Sequence, residues 1–439
     1  MIRYNYTVKW GIRMFDDITI KFKENDLLIN IRNGKVILYN KEKKRHVKLS
    51  EEVYKYIRVA EKNKWKVKEL IDYFKKYEDK KYIESILKIM LNNEIIDGNI
   101  FEKKKFKDIH LSLTNRCNLS CKHCVSSCSP KEEDYMDTNQ ILKLIDNLCD
   151  LNVRRLVLTG GEPLVRADFF EIVDYIRKTL PLEELSLSTN GTLINGSNID
   201  FIVGKFDKVD ISVDGVDEET CSQIRGKGVF EKVVKVVCEL QNKNFYDISL
   251  SMVFGEKNYK MSEKFRQLNE KLNTKAIERY FVPSGRGLIN REIYSDEDSI
   301  LPLVIPKVRE SEMKCREKNI SSFSSCACNA CFEQIFIDHK GNIYPCPSLT
   351  EDEYRIGSAF DKKVINSLKR NDLKESQGFN NFNKLYPFNF EKCKDCDVNI
   401  FCLKCPARVK VVKNNDKELN RWCSLTKKNM QLAIWGGEV

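Results

Sequence analysis

The sequence predicts an α/β fold: six parallel strands, open or curled into a partial barrel, between a small N-terminal module and a cysteine-rich C-terminal third. Three observations predict it. From residue 108 to about 283, strand-like apolar segments alternate with amphipathic stretches, the mark of repeated βα units. Residues 1–100 contain no cysteine and read as a separate sheet-and-helix unit. Ten of the 17 cysteines lie from Cys315 onward, among short segments punctuated by Gly and Pro. The implied domains are 1–100, 101–310 and 311–439.

In the first of these, residues 17–22 and 26–31 are β-rich and partly alternating, and Asn33-Gly34 supplies a hairpin turn before residues 35–39. Ser50 followed by Val53, Ile57 and Ala60 predicts a capped helix. Val67, Leu70, Ile71 and Phe74 predict a second, and Ile83, Ile86, Leu87, Met90 and Leu91 a third. A small sheet followed by three helices is a winged-helix-like arrangement, closed off by the charged Lys103-Lys104-Lys105-Phe106-Lys107. The six strands are expected at 108–114, 155–159, 184–189, 208–213, 246–253 and 277–282, with helices such as 138–150, 168–179, 229–242 and 260–273 between them. The last third would bury little apolar surface alone, so bound metal is the expected staple.

Hydrophobic residues make up 42% of the chain, enough for ordinary cores, and charged residues 32%. The net charge of +11 is dispersed, which describes a Lys-rich surface rather than a nucleic-acid footprint; an acidic peptide partner is compatible. The N-terminus has no apolar h-region, and no stretch approaches the ~18 apolar residues of a membrane span. A cytoplasmic chain with no membrane or nucleic-acid partner is expected. In that reducing setting, clustered cysteines read as metal ligands rather than disulfides.

The chemistry centres on Cys117-x3-Cys121-x2-Cys124, which directly follows the first strand of the repeat. Ligand sites on parallel sheets lie at the carboxyl ends of strands. A [4Fe–4S] cluster takes four thiolates, so three leave one iron open. The next strand ends in Gly160-Gly161-Glu162-Pro163. Two glycines would let a ligand approach the backbone, and the carboxylate and carbonyls would accept hydrogen bonds from an ammonium group. A structural zinc loop completed by His123 or Cys128 is the competing reading, and it leaves residues 160–163 without a purpose.

Together these segments resemble the radical S-adenosylmethionine (SAM) superfamily. The resemblance implies that the open iron chelates the methionyl amine and carboxylate of SAM while the GGE turn holds the amine. Reduction of the cluster by a low-potential donor such as flavodoxin or ferredoxin would then yield a 5′-deoxyadenosyl radical that removes hydrogen from a substrate carbon. Ser188-Thr189-Asn190-Gly191 and Ser212-Val213-Asp214-Gly215 resemble segments lining the ribose and methionine. Ser188, Asn190, Ser212 and Asp214 are therefore expected cofactor contacts. Arg225 resembles the arginine that pairs with the SAM carboxylate, and residues 282–287 resemble the turn after the sixth strand.

A second resemblance lies in Cys331-x9-Gly341-x4-Cys346, Cys393-x2-Cys396-x5-Cys402-x2-Cys405 and Cys423. This is similar to the SPASM extension of peptide-modifying radical SAM enzymes and implies two auxiliary [4Fe–4S] clusters, three in all. It departs in one place: the last internal gap is two residues where three is usual. By analogy Cys393, Cys396, Cys402 and Cys423 hold one cluster. Cys346 and Cys405 hold the other with two of Cys326, Cys328 and Cys331, the expected pair being Cys328 and Cys331. Cys149, Cys221 and Cys238 read as small buried or half-buried residues, and Cys128 as a bystander near the site. His46, His110 and His339 have no ligand-like company, and His123 is expected to pack against the cluster or adenine.

The three-part layout resembles maturases of ribosomal peptides, whose N-terminal domain binds the leader of a precursor peptide by strand addition. In length and layout it is most similar to the streptide-type cyclases, which implies a Lys–Trp carbon–carbon crosslink. A thioether-forming (sactipeptide-type) synthase shares the layout, and a sulfatase-maturing oxidase shares its last two parts. A non-catalytic iron–sulfur electron carrier or nucleic-acid-binding redox sensor would explain the cysteines but not the Gly-Gly-Glu-Pro turn.

Overall fold

The computed structural model describes residues 15–98, 108–295, 328–403 and 405–436. The first unit is an antiparallel meander of β1 (Leu27–Arg32), β2 (Lys35–Asn40) and β3 (Arg45–Ser50). Asn33 and Gly34 both take positive φ, 51° and 68°, as a two-residue hairpin turn requires. β3 was not anticipated, although its Val47 and Leu49 alternate inward. Residues 17–22 form no continuous strand; they meet the module through isolated bridges, Thr19 with Lys66 and Phe22 with Ile96. Three helices follow: α1 (Glu51–Lys62), capped by the Ser50 hydroxyl, α2 (Val67–Tyr73) and α3 (Tyr77–Asn92). Ile57, Leu70, Ile83 and Leu87 join Val36 and Leu38 of the sheet in one core.

The central sheet runs β4 (Asp108–Ser112), β5 (Arg155–Thr159), β6 (Glu184–Thr189), β7 (Lys208–Ser212), β8 (Ile248–Phe254) and β9 (Lys275–Tyr280), each parallel to the next. Between them run α4 (Thr138–Cys149), α5 (Phe169–Thr179), α6 (Ile199–Lys205), the pair α7 (Glu218–Arg225) and α8 (Val229–Asn242), and α9 (Ser262–Lys271). The two-residue period of the strands sorts the side chains. Leu111, Leu158, Leu187, Ile211 and Leu250 belong to the apolar core. The alternate positions His110, Ser112, Thr159, Ser188, Ser212 and Ser251 line a cavity.

The cysteine-rich third extends the same sheet, which the sequence did not suggest. β10 (Gln334–Ile337) pairs in parallel with the free side of β4, and β11 (Asn342–Tyr344) and β12 (Gly357–Ser358) add antiparallel strands, nine in all. One core cluster includes both Leu111 and Ile335, so this third shares the central core. Its helices are α10 (Lys362–Arg370), α11 (Gln377–Asn383), α12 (Pro406–Val412) and α13 (Asp416–Trp435). Among the described residues no helix is long and apolar enough to cross a membrane.

The N-terminal sheet is seated on the carboxyl end of α13. Lys35 Nζ donates to Trp435 O at 2.8 Å, Lys48 Nζ donates to Ile434 O, and Asn33 Nδ2 donates to Gly436 O at 2.9 Å. These cations and amide sit where a helix leaves unpaired carbonyls and partial negative charge. Arg32 pairs with Asp397, and Arg45 with Glu333 at 2.8 Å.

His46 belongs to this seat, its ring edge-on to Phe401 with centroids 5.2 Å apart. Burial, aided by Lys48, pushes its pKa down to about 4. The unfolded chain therefore binds the proton first as pH falls. His46 adds its full stability above about pH 6.5 and loses it progressively toward pH 4. Replacing it with Phe should remove up to about 3 kcal/mol of the stability lost between pH 7 and 4.5. Parallel denaturant titrations of both proteins across that range check this; identical pH slopes would contradict it.

Candidate active site

The loop after β4 brings Cys117, Cys121 and Cys124 to the mouth of the sheet, the first two buried. Arg286 clamps it: Nε donates to Cys121 O at 3.0 Å, and Nη1 and Nη2 donate to Ser127 O and Cys128 O, both at 2.6 Å. Gly285 makes this approach possible, since it has φ of 53° and a Cβ there would stand 2.3 Å from Val125 O. The sequence marked residues 282–287 as a turn, but nothing local revealed the clamp.

The glycines of the Gly-Gly-Glu-Pro turn also make room for the chain's own backbone. A Cβ on Gly160 would lie 2.5 Å from Thr114 O, and one on Gly161 would lie 2.3 Å from Arg116 O. Their bareness admits the cysteine-bearing loop, whose Thr114 O accepts from Gly161 N at 2.7 Å. Both glycines also line the cavity. Glu162 and Pro163 are not among the described residues that line it. The Glu162 carboxylate is fully buried and accepts from Thr189 Oγ1 at 2.8 Å, Asn190 N at 2.7 Å and Leu164 N at 3.2 Å. Burial raises its pKa against these donors. Glu162 thus brackets two strand ends.

Asn190, bracketed in this way, turns its amide Nδ2 toward Asn118 Oδ1 at 2.8 Å and Cys117 Sγ at 3.9 Å. Asp214, at φ 49°, is buried with Arg225 Nε at 2.7 Å, His123 Nε2 at 3.2 Å and Val253 N at 2.7 Å. Burial favours its neutral form, but the Arg225 guanidinium and His123 outweigh that and hold the carboxyl far below its usual range. Arg225 Nη1 in turn reaches Cys121 Sγ at 3.8 Å. The arginine expected to meet a free carboxylate is therefore already paired with Asp214 and aimed at the cysteine loop. His123 packs edge-on to Tyr294 with centroids 6.0 Å apart.

Ser188, Asn190, Ser212, Asp214 and Arg225 all line a cavity of about 420 Å³ together with the three cysteines and Cys128. Sequence reasoning missed His110, Asp210, Arg279, Phe336 and Ser348 among its walls. The period-two alternation of β4, β7 and β9 was the available signal for the first three. Burial, with Arg279 and Arg155, pushes the His110 pKa down to about 4.

Downstream, the fold gathers eight cysteines into two sets. Cys328, Cys331, Cys346 and Cys405 form one; burial raises the pKa of the first three, Cys328 to about 11, and charge on neighbouring cysteines of the set adds to it. Cys393, Cys396, Cys402 and Cys423 form the other; burial is the main cause that raises Cys393, Cys402 and Cys423, with Cys402 near 12. Cys405 also lines the cavity, so the first set touches the same chamber as the Cys117 loop. Cys326 lies outside the described residues. Buried thiols that disfavour each other's ionisation suit metal, whose charge compensates the thiolates. Among the described residues no three His, Cys, Asp or Glu converge as ligands of a single ion. A cubane does not ask for that, because each thiolate binds a different iron. Cys221 is buried as expected, whereas Cys149 and Cys238 are exposed on α4 and α8.

Gly161→Ala should cost about 1–3 kcal/mol, because the new Cβ meets backbone. Gly204→Ala, in open space on α6, should be neutral or gain up to about 1 kcal/mol. Anaerobic urea unfolding of both variants checks the contrast.

Comparison with known proteins agrees with this geometry. Residues 111–268 match the radical SAM superfamily, and residues 326–397 match the SPASM iron–sulfur cluster-binding domain. The mycofactocin maturase MftC of Mycolicibacterium smegmatis is 28% identical over 258 residues, 56% of this chain; the chain spans only 65% of that protein's length. The antilisterial bacteriocin subtilosin biosynthesis protein AlbA of Bacillus subtilis is 28% identical over 345 residues, covering 73% of this chain and 71% of AlbA. The structure of Streptococcus suis SuiB bound to precursor peptide SuiA shares the fold with a TM-score of 0.50 at 12% identity, over 87% of this chain and 94% of that one. The cavity thus lies in a chain that joins a radical SAM domain at residues 111–268 to a SPASM iron–sulfur domain at residues 326–397.

Proposed function

We propose that this chain is a radical SAM enzyme that modifies a ribosomally made precursor peptide, joining a lysine carbon to a tryptophan carbon. The observation that carries the reading is the shared chamber, where Cys117, Cys121 and Cys124 face the same space as Cys405. Support also comes from the relatives, two of which are named as a maturase and a bacteriocin biosynthesis protein. Cys117, Cys121 and Cys124 would hold a [4Fe–4S] cluster with SAM on its open iron; when bound, this pair supplies a hydrogen-abstracting radical. The two downstream cysteine sets would each hold an auxiliary [4Fe–4S] cluster, three clusters in all.

The chain's own residues fix the setting. Arg286 holds the cysteine loop by its carbonyls, and Asn190 and Arg225 place N–H groups against Cys117 and Cys121. Gly160 and Gly161 border the space for SAM, with Ser188, Ser212 and Asp214 along its walls. Forming a carbon–carbon bond between lysine and tryptophan removes two hydrogens, one as an atom and one as a proton plus an electron. The second electron needs an acceptor, and Cys405 puts a cysteine set at the cavity wall. The N-terminal unit is the proposed winged-helix-like recognition domain, with the sheet β1–β3 as the surface for a leader peptide. A flavodoxin- or ferredoxin-like protein is the proposed electron donor.

Anaerobic incubation of reconstituted protein with SAM and a strong reductant should release 5′-deoxyadenosine; none formed would overturn the enzymatic reading. Iron should approach about twelve per chain and fall to about eight when Cys117, Cys121 and Cys124 are all Ala, with SAM cleavage abolished. With the cognate precursor, mass spectrometry should find a product lighter by two hydrogens whose fragments keep Lys and Trp joined. A product linked through Cys would replace the Lys–Trp assignment with thioether formation.

A further inference from the structure

Trp422 and Arg408 stand between the two downstream cysteine sets, and the chemistry above uses neither. Trp422, on α13, is buried, and its indole Nε1 donates to Cys402 Sγ at 3.2 Å. Arg408, on α12 one turn beyond Cys405, is also buried. Its guanidinium carbon lies 5.5 Å from the Trp422 ring centroid and 5.4 Å from that of Tyr280. Tyr280 and Cys405 both line the cavity. A continuous set of contacts therefore runs from the chamber wall through Arg408 to Trp422 and on to Cys402.

An N–H donated to a ligating sulfur draws off negative charge and stabilises the more negative, reduced state of an iron–sulfur cluster. A guanidinium stacked on the same indole fixes that donor in place and adds positive charge. We propose that Trp422, positioned by Arg408, raises the reduction potential of the cluster held by Cys393, Cys396, Cys402 and Cys423. This rests on the cluster reading of the two cysteine sets. The distal cluster is then biased to receive electrons arriving from the cavity side.

Redox titration followed by electron paramagnetic resonance, on reconstituted wild type and Trp422→Phe, tests this. The expected result is one auxiliary signal with a lower midpoint, the other signals in place and iron content unchanged. Arg408→Met should move the same signal, and Arg408→Lys should restore part of it. Unchanged midpoints with full iron in Trp422→Phe overturn the proposal. If that variant loses iron, wild type labelled with 15N in its indoles decides. Pulsed resonance should detect 15N coupling at one reduced cluster, and its absence overturns the proposal. Wild-type iron near about four per chain would instead remove the auxiliary clusters themselves, a result read before any potential is measured.

Discussion

Glu162 buries a carboxyl group completely at the end of the central sheet, and the site is arranged around satisfying it. An ionised carboxylate loses several kcal/mol on leaving water unless donors replace the solvent. Here the replacements are the Thr189 hydroxyl and the backbone N–H groups of Asn190 and Leu164. Because those donors belong to the end of β6 and to the turn after β5, meeting the electrostatic demand locks two neighbouring strand ends together. Asn190, held by its backbone, is then left with a side chain free to reach the Cys117 loop. The Cys117 loop is thus held in part by a carboxyl group that does not itself line the cavity.

A second constraint works from the opposite side. Asp214, Arg225 and His123 form a buried charge cluster whose guanidinium also faces Cys121. A lone arginine there would be a mobile cation facing thiolates. Paired with Asp214 through Nε and Nη2, it is held in place with Nη1 turned toward Cys121. The cysteine loop is therefore gripped by donors from β6, from α7 and, through Arg286, from the turn after β9.

The parts of this architecture that repeat locally were legible in the sequence. Six strands alternating with amphipathic helices announce themselves because every βα unit buries the same apolar stripe. The cysteine spacing announced its loop. Pairings between distant segments were not legible. β10 has only four residues, and its partner β4 lies more than two hundred positions earlier, so no local period could reveal that the sheet continues. The backbone contacts of Gly160 and Gly161 were hidden for a related reason: a glycine reports that something comes close, not what. The approaching group is the chain's own backbone at Thr114 and Arg116. The donors to Glu162 were likewise hidden, because Thr189 and Asn190 lie at the end of another strand. Arg286 was visible only as a member of a turn, since its three carbonyl partners lie some 160 residues upstream.

The seat of the N-terminal sheet has a consequence for the order of assembly. Its lysines grip carbonyls at the far end of α13, a helix that also presents Cys423 to the distal cysteine set and Trp422 to Cys402. A ribosome delivers that helix hundreds of residues after β1–β3. The first unit to emerge has its own core, but its docking surface, at Glu333, Asp397, Phe401 and the end of α13, is completed only when the last described helix is in place. Whatever orders α13 also completes the landing surface. The N-terminal sheet and the distal cysteine set are in this way tied to opposite parts of one helix, so neither reaches its final place independently of α13.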